Sequence, residues 1–256
     1  MTKVAVLADS HGNLPALEVV LAEVETAGVD LIVLNGDLAD GPFPAETLDR
    51  LIALGKRAIW LRGNGDRWLF EECDGTFGRK GDATCELLQW ASACITRYHR
   101  DLLAVLPLTS SITLSELGRI GFCHATPRSD NEMFLVDSPL SQYREAFSEF
   151  EPEAVFVGHC HMPLDRLFDR RRVINTGSAG VPYGHYGTSW ALIDRDIVLR
   201  RTMYDVEDAA DRVIRTQMPS AHEFIQTYIL NTPSDDEALH TFHGIMQAQQ
   251  DTDSFD

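Results

Sequence analysis

Seven short apolar runs recur along the chain: Val4–Ala8, Leu31–Leu34, Ala58–Leu61, Ile120–Cys123, Ala154–Val157, Val173–Ile174 and Trp190–Ile193. Their length and β-branched content predict buried strands. Helical spacing separates the early ones. Leu17, Val20, Leu21 and Val24 recur at three- and four-residue intervals, with Asn13 placed to cap the helix and Pro15 in its first turn. Leu48, Leu51 and Ile52 mark a second helix that stops at Gly55. Alternating strand and helix predicts an α/β class with helices on the sheet faces.

Residues 67–106 break the rhythm and read as a helical insertion, with helices near Cys85–Ile95 and Asp101–Leu106. From about 162 to 205 short strands with tight connections predict antiparallel hairpins, one of them over Arg166–Val173. Residues 206–248 read as two or three helices, and the last eight residues are polar and expected to fray. The organisation predicted is one domain over 1–205 and an acidic helical extension, 206–256, belonging to it.

Composition narrows the class. The chain has 256 residues, 44% hydrophobic and 24% charged, within the range of soluble globular proteins. The apolar start ends in Asp9 and reads as a first strand, not a secretory signal. Five scattered cysteines form no disulfide framework, so a reducing cytoplasm is expected. The formal net charge of −17 argues against a protein that grips nucleic-acid polymers by charge. Eleven acidic and two basic residues lie in 203–256, which reads as a solvated helical tail.

The candidate chemistry follows the apolar runs. After them come Asp9-Ser10-His11, Asn35-Gly36-Asp37, Gly63-Asn64-Gly65-Asp66, His124 and Gly158-His159-Cys160-His161. In open α/β sheets ligands bind at the carboxyl edge of the strands. Carboxylate, amide and imidazole donors suit borderline divalent metals such as Mn, Fe, Zn, Co or Ni. Strand-like alternation would put His159 and His161 on one face and Cys160 on the other. Glycines before Asp37, Asn64 and His159 would allow sharp turns.

This ordered set resembles the calcineurin-like metallophosphoesterase superfamily. It is most similar to the small bacterial and archaeal phosphodiesterase branch, whose third motif reads Gly-Asn-x-Asp and whose Asn-x-Gly-Ser motif matches Asn175-Thr176-Gly177-Ser178. The resemblance implies an αββα sandwich of two facing sheets with the site at one edge. It implies two divalent metals, Mn foremost and Fe, Zn, Ni or Co as alternatives. One would be held by Asp9, His11 and His161, the other by Asn64, His124 and His159, with Asp37 bridging. It further implies hydrolysis of a phosphodiester by a metal-bridged hydroxide, with Asp37, Asn64, Asp66 and His124 in the catalytic set. The expected substrate is a small phosphate ester such as a nucleotide, with no membrane partner. Alternatives are a phosphomonoesterase, a dinucleoside polyphosphate hydrolase and a non-catalytic metal-binding scaffold.

One departure stands out. Where many relatives carry a leaving-group histidine, this chain has Gly65. Asp66, His99 and His185 are the replacement candidates, Asp66 equally a helix cap. Lacking a strong acid, the reaction should favour good leaving groups or strained cyclic diesters. Other residues have plainer readings. Ser10, Asn13, Asn35, Asn175 and Ser178 shape loops. Arg128, Tyr183 and Arg170–Arg172 stand between surface roles and phosphate contacts. His99, His222, His240 and His243 read as surface residues. Trp68, Phe70, Cys73, Cys85 and Cys94 read as packing residues.

Overall fold

The computed structural model describes residues 2–78 and 83–253. Two five-stranded mixed sheets face each other, with helices on both outer faces. The first sheet contains β1 (Val4–Leu7), β2 (Leu31–Asn35), β3 (Ala58–Leu61), β9 (Thr188–Ile193) and β10 (Ile197–Thr202), in the order β10-β9-β1-β2-β3. The second contains β4 (Thr109–Leu114), β5 (Gly118–Cys123), β6 (Ala154–Val157), β7 (Leu164–Phe168) and β8 (Arg171–Asn175), in the order β4-β5-β6-β8-β7. β1, β2 and β3 run parallel, as do β5, β6 and β8; the outer pairings are antiparallel.

Strand alternation builds the layers. Val4, Val6, Val33 and Leu61 point inward against Ile120, Phe122, Phe156 and Ile174 of the facing sheet. Ala5, Leu7, Ile32 and Leu34 point outward under α1 (Leu14–Thr26) and α2 (Pro44–Ile52), whose apolar stripes are the ones the sequence spacing predicts. On the opposite face Val155, Val157 and Val173 lie under Tyr143 and Ala146 of α6 (Leu140–Ala146). Each buried Val, Leu, Ile or Phe among them contributes roughly 1.5–3 kcal/mol of transfer free energy.

The expected insertion contains α3 (Asn64–Cys73), α4 (Ala83–Cys94) and α5 (Arg97–Ala104), while residues 79–82 within it lie outside the described residues. The tail contains α7 (Val206–Arg215), then α8 (Ala221–Phe224) running into π-helical turns at Ile225–Leu230, then α9 (Asp235–Asp253). The polar end expected to fray is thus helical as far as Asp253, and 254–256 lie outside the described residues. The antiparallel hairpins expected between about 162 and 205 are β7–β8, covering Arg166–Val173, and β9–β10, whereas β4, with no fully buried position, carries too little apolar pattern to read from sequence. Among the described residues no helix is long and apolar enough to cross a membrane.

Candidate metal centre

Both sheets deliver candidate residues to one edge of the sandwich. Asp9 and His11 follow β1, Asp37 follows β2 and Asn64 opens α3 just past β3. His124 follows β5, and His159 and His161 follow β6. Five of the nine described non-glycine residues with positive φ are in this set: Asp9, His11, Asp37, His159 and His161, at 56°, 41°, 54°, 68° and 55°. Left-handed backbone at non-glycine residues is costly and concentrates where a site demands it.

Two sequence expectations need correction here. His159 and His161 do not project from an extended strand; each sits on its own left-handed kink, and Cys160 is buried, its Sγ 3.2 Å from Asn175 Nδ2. The preceding glycines also differ in purpose. Gly36 does adopt a positive φ of 90°. Gly63 is extended, and a Cβ there would lie 2.1 Å from Asp37 Oδ1; one at Gly158 would lie 2.6 Å from Asp9 Oδ2. These two glycines make room for carboxylates.

The imidazoles share a rule. His124 Nδ1 donates to Asn35 O at 2.9 Å, His161 Nδ1 to Val181 O at 3.1 Å and His11 Nδ1 to Asp40 Oδ1 at 3.0 Å. A proton held at Nδ1 leaves Nε2 as a bare acceptor. All three Nε2 atoms face the cluster. His11 Nε2 is 3.1 Å from His161 Nε2 and 3.7 Å from Asp37 Oδ2. His124 Nε2 is 3.2 Å from Asp37 Oδ2 and 3.8 Å from Asp9 Oδ1, and His161 Nε2 is 3.4 Å from Asp9 Oδ1. His159 differs: its Nδ1 is 2.9 Å from a terminal atom of the Asn64 amide, and its buried Nε2 has no hydrogen-bond partner. The donors fall into two groups that could each hold a metal ion: Asp9, His11 and His161, and Asp37, His124 and His159.

The electrostatics follow from burial against charge. Burial alone would lower the His124 pKa, but Asp37, then Asp9, raise it to about 10. Burial opposes His11 likewise, and Asp40, Asp37 and Asp9 lift it to about 9. For His159 burial wins, with His124 adding to it, and the ring falls to about 4. Burial pushes Asp9 and Asp37 up, yet the surrounding imidazoles hold both below the ordinary carboxylate range. The pocket is built to hold positive charge between two carboxylates.

Asp66 is fully buried, and its carboxylate accepts from the backbone N–H groups of Asp37, Leu38 and Gly63, each at 2.9 Å. It caps α3 and at the same time fixes the loop that carries Asp37. Burial, then the neighbouring Asp37, raise its pKa to about 7 against those bonds. The loop residues act as their types suggest. Asn35 Nδ2 donates to Cys123 O at 2.9 Å, tying the two sheets together under His124. Ser10 Oγ donates to Leu38 O, Asn13 Nδ2 to Gly180 O, Ser178 Oγ to Asp9 O and Asn175 Nδ2 to Gly158 O.

Other candidates are held elsewhere. His99 is buried, not a surface residue: it caps α5 through Thr96 and its Nε2 is 3.0 Å from Asp49 Oδ1 in the helix layer. His185 lies against Ser189 Oγ at 3.0 Å. Arg128 is exposed and bonded to Glu132 and Glu145. Arg170 stands at the β7–β8 turn, and Arg172 pairs with Asp165. Trp68 and Phe70 pack on the first helix layer, and Cys85 is buried, but Cys73 and Cys94 are exposed. His222, His240 and His243 are exposed.

Two acids at the site escaped the sequence reading. Asp40 orients His11, and a three-residue offset from Asp37 in the same loop is its one sequence signal. Asp130 accepts from Arg62 Nε at 3.1 Å and Arg67 Nε at 2.9 Å, and its carbonyl lies 3.1 Å from the Asn64 amide.

A domain model described as the calcineurin-like phosphoesterase superfamily domain matches residues 2–196. The chain belongs to the calcineurin-like phosphoesterase superfamily. This superfamily comprises metal-dependent phosphoester hydrolases. An uncharacterized protein of Methanocaldococcus jannaschii is 25% identical over 236 residues, covering 84% of this chain and 93% of its own. Phosphodiesterase YfcE of Escherichia coli is 22% identical over 207 residues, covering 77% and 90%. The crystal structure of a hypothetical protein from Pyrococcus horikoshii superposes with a TM-score of 0.78 at 22% identity, covering 91% and 100%. That superposition matches the αββα sandwich of the superfamily.

Proposed function

We propose that this calcineurin-like phosphoesterase is a two-metal hydrolase that prefers phosphodiesters of small molecules. The observation that carries the reading is the pair of ring nitrogens, His11 Nε2 and His161 Nε2, 3.1 Å apart beside buried Asp9 and Asp37. Two lone pairs at that distance repel unless a proton or a cation lies between them. The same carboxylates that lift His11 to about 9 and His124 to about 10 would favour a divalent cation over the proton. The Asn64 amide adds to the fit: its terminal atom near both His159 Nδ1 and His124 Nε2 is an NH2 that donates, or an oxygen that shares a cation with both rings.

Asp9, His11 and His161 would hold one ion and Asn64, His124 and His159 the other, with Asp37 facing both. Bound there, two divalent ions would lower the pKa of water and neutralise charge on a phosphoryl group. Mn is the ion proposed first, with Fe, Zn, Ni or Co able to use the same donors. The chain's own part is orientation. Asn35, Val181 and Asp40 fix three imidazole tautomers, and Asp66 fixes the Asp37 loop. The diester preference draws support from the likeness to YfcE. The proposed setting is the cytoplasm.

The test is direct. Metal-free protein is assayed with a bis-nitrophenyl phosphodiester and a nitrophenyl monoester while Mn, Ni, Co, Zn or Mg is added in turn. Diester turnover should return with metal and vanish in Asp37→Ala. Turnover that returns equally in Asp37→Ala, or only with the monoester, overturns the reading. Gly65 adds a second expectation: with no imidazole there to protonate a leaving group, alkyl diesters should react far more slowly than nitrophenyl diesters. Equal rates would show that another group supplies the proton.

A further inference from the structure

The superfamily match ends at residue 196, yet the chain beyond it returns to the metal centre. Phe242 on α9 stands edge-on to the His161 imidazole, ring centroids 6.3 Å apart and planes at 75°. Tyr183 lies 5.6 Å from the same imidazole and 5.3 Å from Phe242. Tyr228, from the π-helical turns, meets Tyr183 edge-on at 6.2 Å. Phe242 and Tyr183 are buried in one apolar cluster with Met133, Leu135 and Met162. The tail is also fastened to both loops beside His161. Gly184 N donates to Pro233 O at 2.9 Å, and His243 Nε2 is 2.9 Å from Asp137 Oδ2.

His161 needs such support. It stands on a left-handed kink, its side chain is partly open, and on the side away from the donor cluster one bond, from Nδ1 to Val181 O, orients the ring. One hydrogen bond selects the tautomer but leaves the ring free to swing about that bond. Aromatic edges packed on the imidazole remove that swing.

We propose that the C-terminal tail is part of the metal centre, with Phe242, seated against Tyr183, acting as a positioning residue that holds His161 in its ligating orientation. This rests on the reading of His161 as a metal ligand. The same tail carries much of the negative charge, so its acidic face and its apolar face serve different ends.

The experiment is a calorimetric titration of the full, metal-free chain with Mn, for wild type, Phe242→Ala, Phe242→Leu and Phe224→Ala. Phe224 belongs to the same tail but sits in the neighbouring apolar cluster, where its ring packs on Tyr228 rather than on Phe242 or the His161 imidazole. Wild type should bind two ions. Phe242→Ala should bind one of them about 10-fold more weakly, the size typical of losing a supporting partner, and the other unchanged. Phe242→Leu should fall between, and Phe224→Ala should match wild type. Unchanged affinities in Phe242→Ala, or an equal loss in Phe224→Ala, overturn the proposal while leaving the two-metal reading intact. Should Phe242→Ala fail to fold, Phe242→Leu decides, and wild-type affinity in that variant overturns it. A wild type that takes up no metal overturns the two-metal reading itself, and this proposal with it.

Discussion

The two donor groups are built differently. Asp37 and His124 are 3% and 0% exposed, and His124 is held by a backbone carbonyl from the facing sheet. His11 and His161 are 15% and 13% exposed, and their support comes from Asp40, a loop carbonyl and the aromatic side chains around α9. The inner group is thus tied to the sandwich, whereas the outer group is tied to loops and tail. Deep placement raises the cost of any unpaired charge. Shallow placement leaves room for exchange with solvent and for substrate.

The largest expected difference between the groups is in stability. His124→Ala strands Asp37 in a buried site, and breaking a buried ion pair costs about 3–5 kcal/mol. His11→Ala should cost no more than about 1–2 kcal/mol, because water reaches the gap. Urea denaturation of both metal-free variants measures this. Equal losses would mean that burial does not distinguish the two groups.

Next is the pH dependence of the metal-free protein. His11 and His124 rise from 6.5 to about 9 and about 10. Their contribution to stability is complete below pH 6.5 and is lost as pH climbs through those values. His159 is lowered to about 4, so its contribution is present above 6.5 and lost as pH falls through 4. Depressed Asp9 and Asp37 add to the acid-side loss. The urea midpoint should therefore peak near neutrality and decline towards pH 10. Saturating metal should flatten the alkaline decline, since the cations then supply the positive charge. An alkaline limb that is identical with and without metal would remove the cation from the account.

How far the sequence could be read follows the same division. Asp9, Asp37, His124 and the His159–His161 pair sit just past apolar strands, so periodicity and residue type point to them directly. The strands were legible where they are buried on both faces, as in Val4–Leu7 and Ala154–Val157, while the two facing layers followed only from the family resemblance. β4 was not, because Thr109-Ser110-Ser111 is half solvated and takes its strand identity from pairing with β5. The left-handed kinks at His159 and His161 were not legible either, since local pattern favours an extended strand and the tertiary packing at that edge of the sandwich overrides it. Asp40 and Phe242 went unread for one reason: each acts through another side chain brought close by tertiary contact, Phe242 from 81 positions along the chain.

The finest distinction concerns Asp40 and Gly65. A Cβ at Gly65 would lie 2.3 Å from Asp40 Oδ2, so the carboxylate that orients His11 occupies the space a side chain at 65 would enter. On the two-metal proposal, Asp40→Ala should weaken one of the two ions by about 10- to 100-fold, the cost typical of losing a carboxylate that orients a ligating imidazole. Asp40→Asn, which still offers an oxygen to His11 Nδ1, should lose less. Gly65→Ala should act only by pushing Asp40 aside, a few-fold in the same affinity. The double variant Gly65→Ala with Asp40→Ala should then be no worse than Asp40→Ala alone, because the second change has nothing left to displace. Losses that simply add would mean that the two positions act separately. Gly65 would then be a site that lost its side chain, and Asp40 would not be what stands in its place.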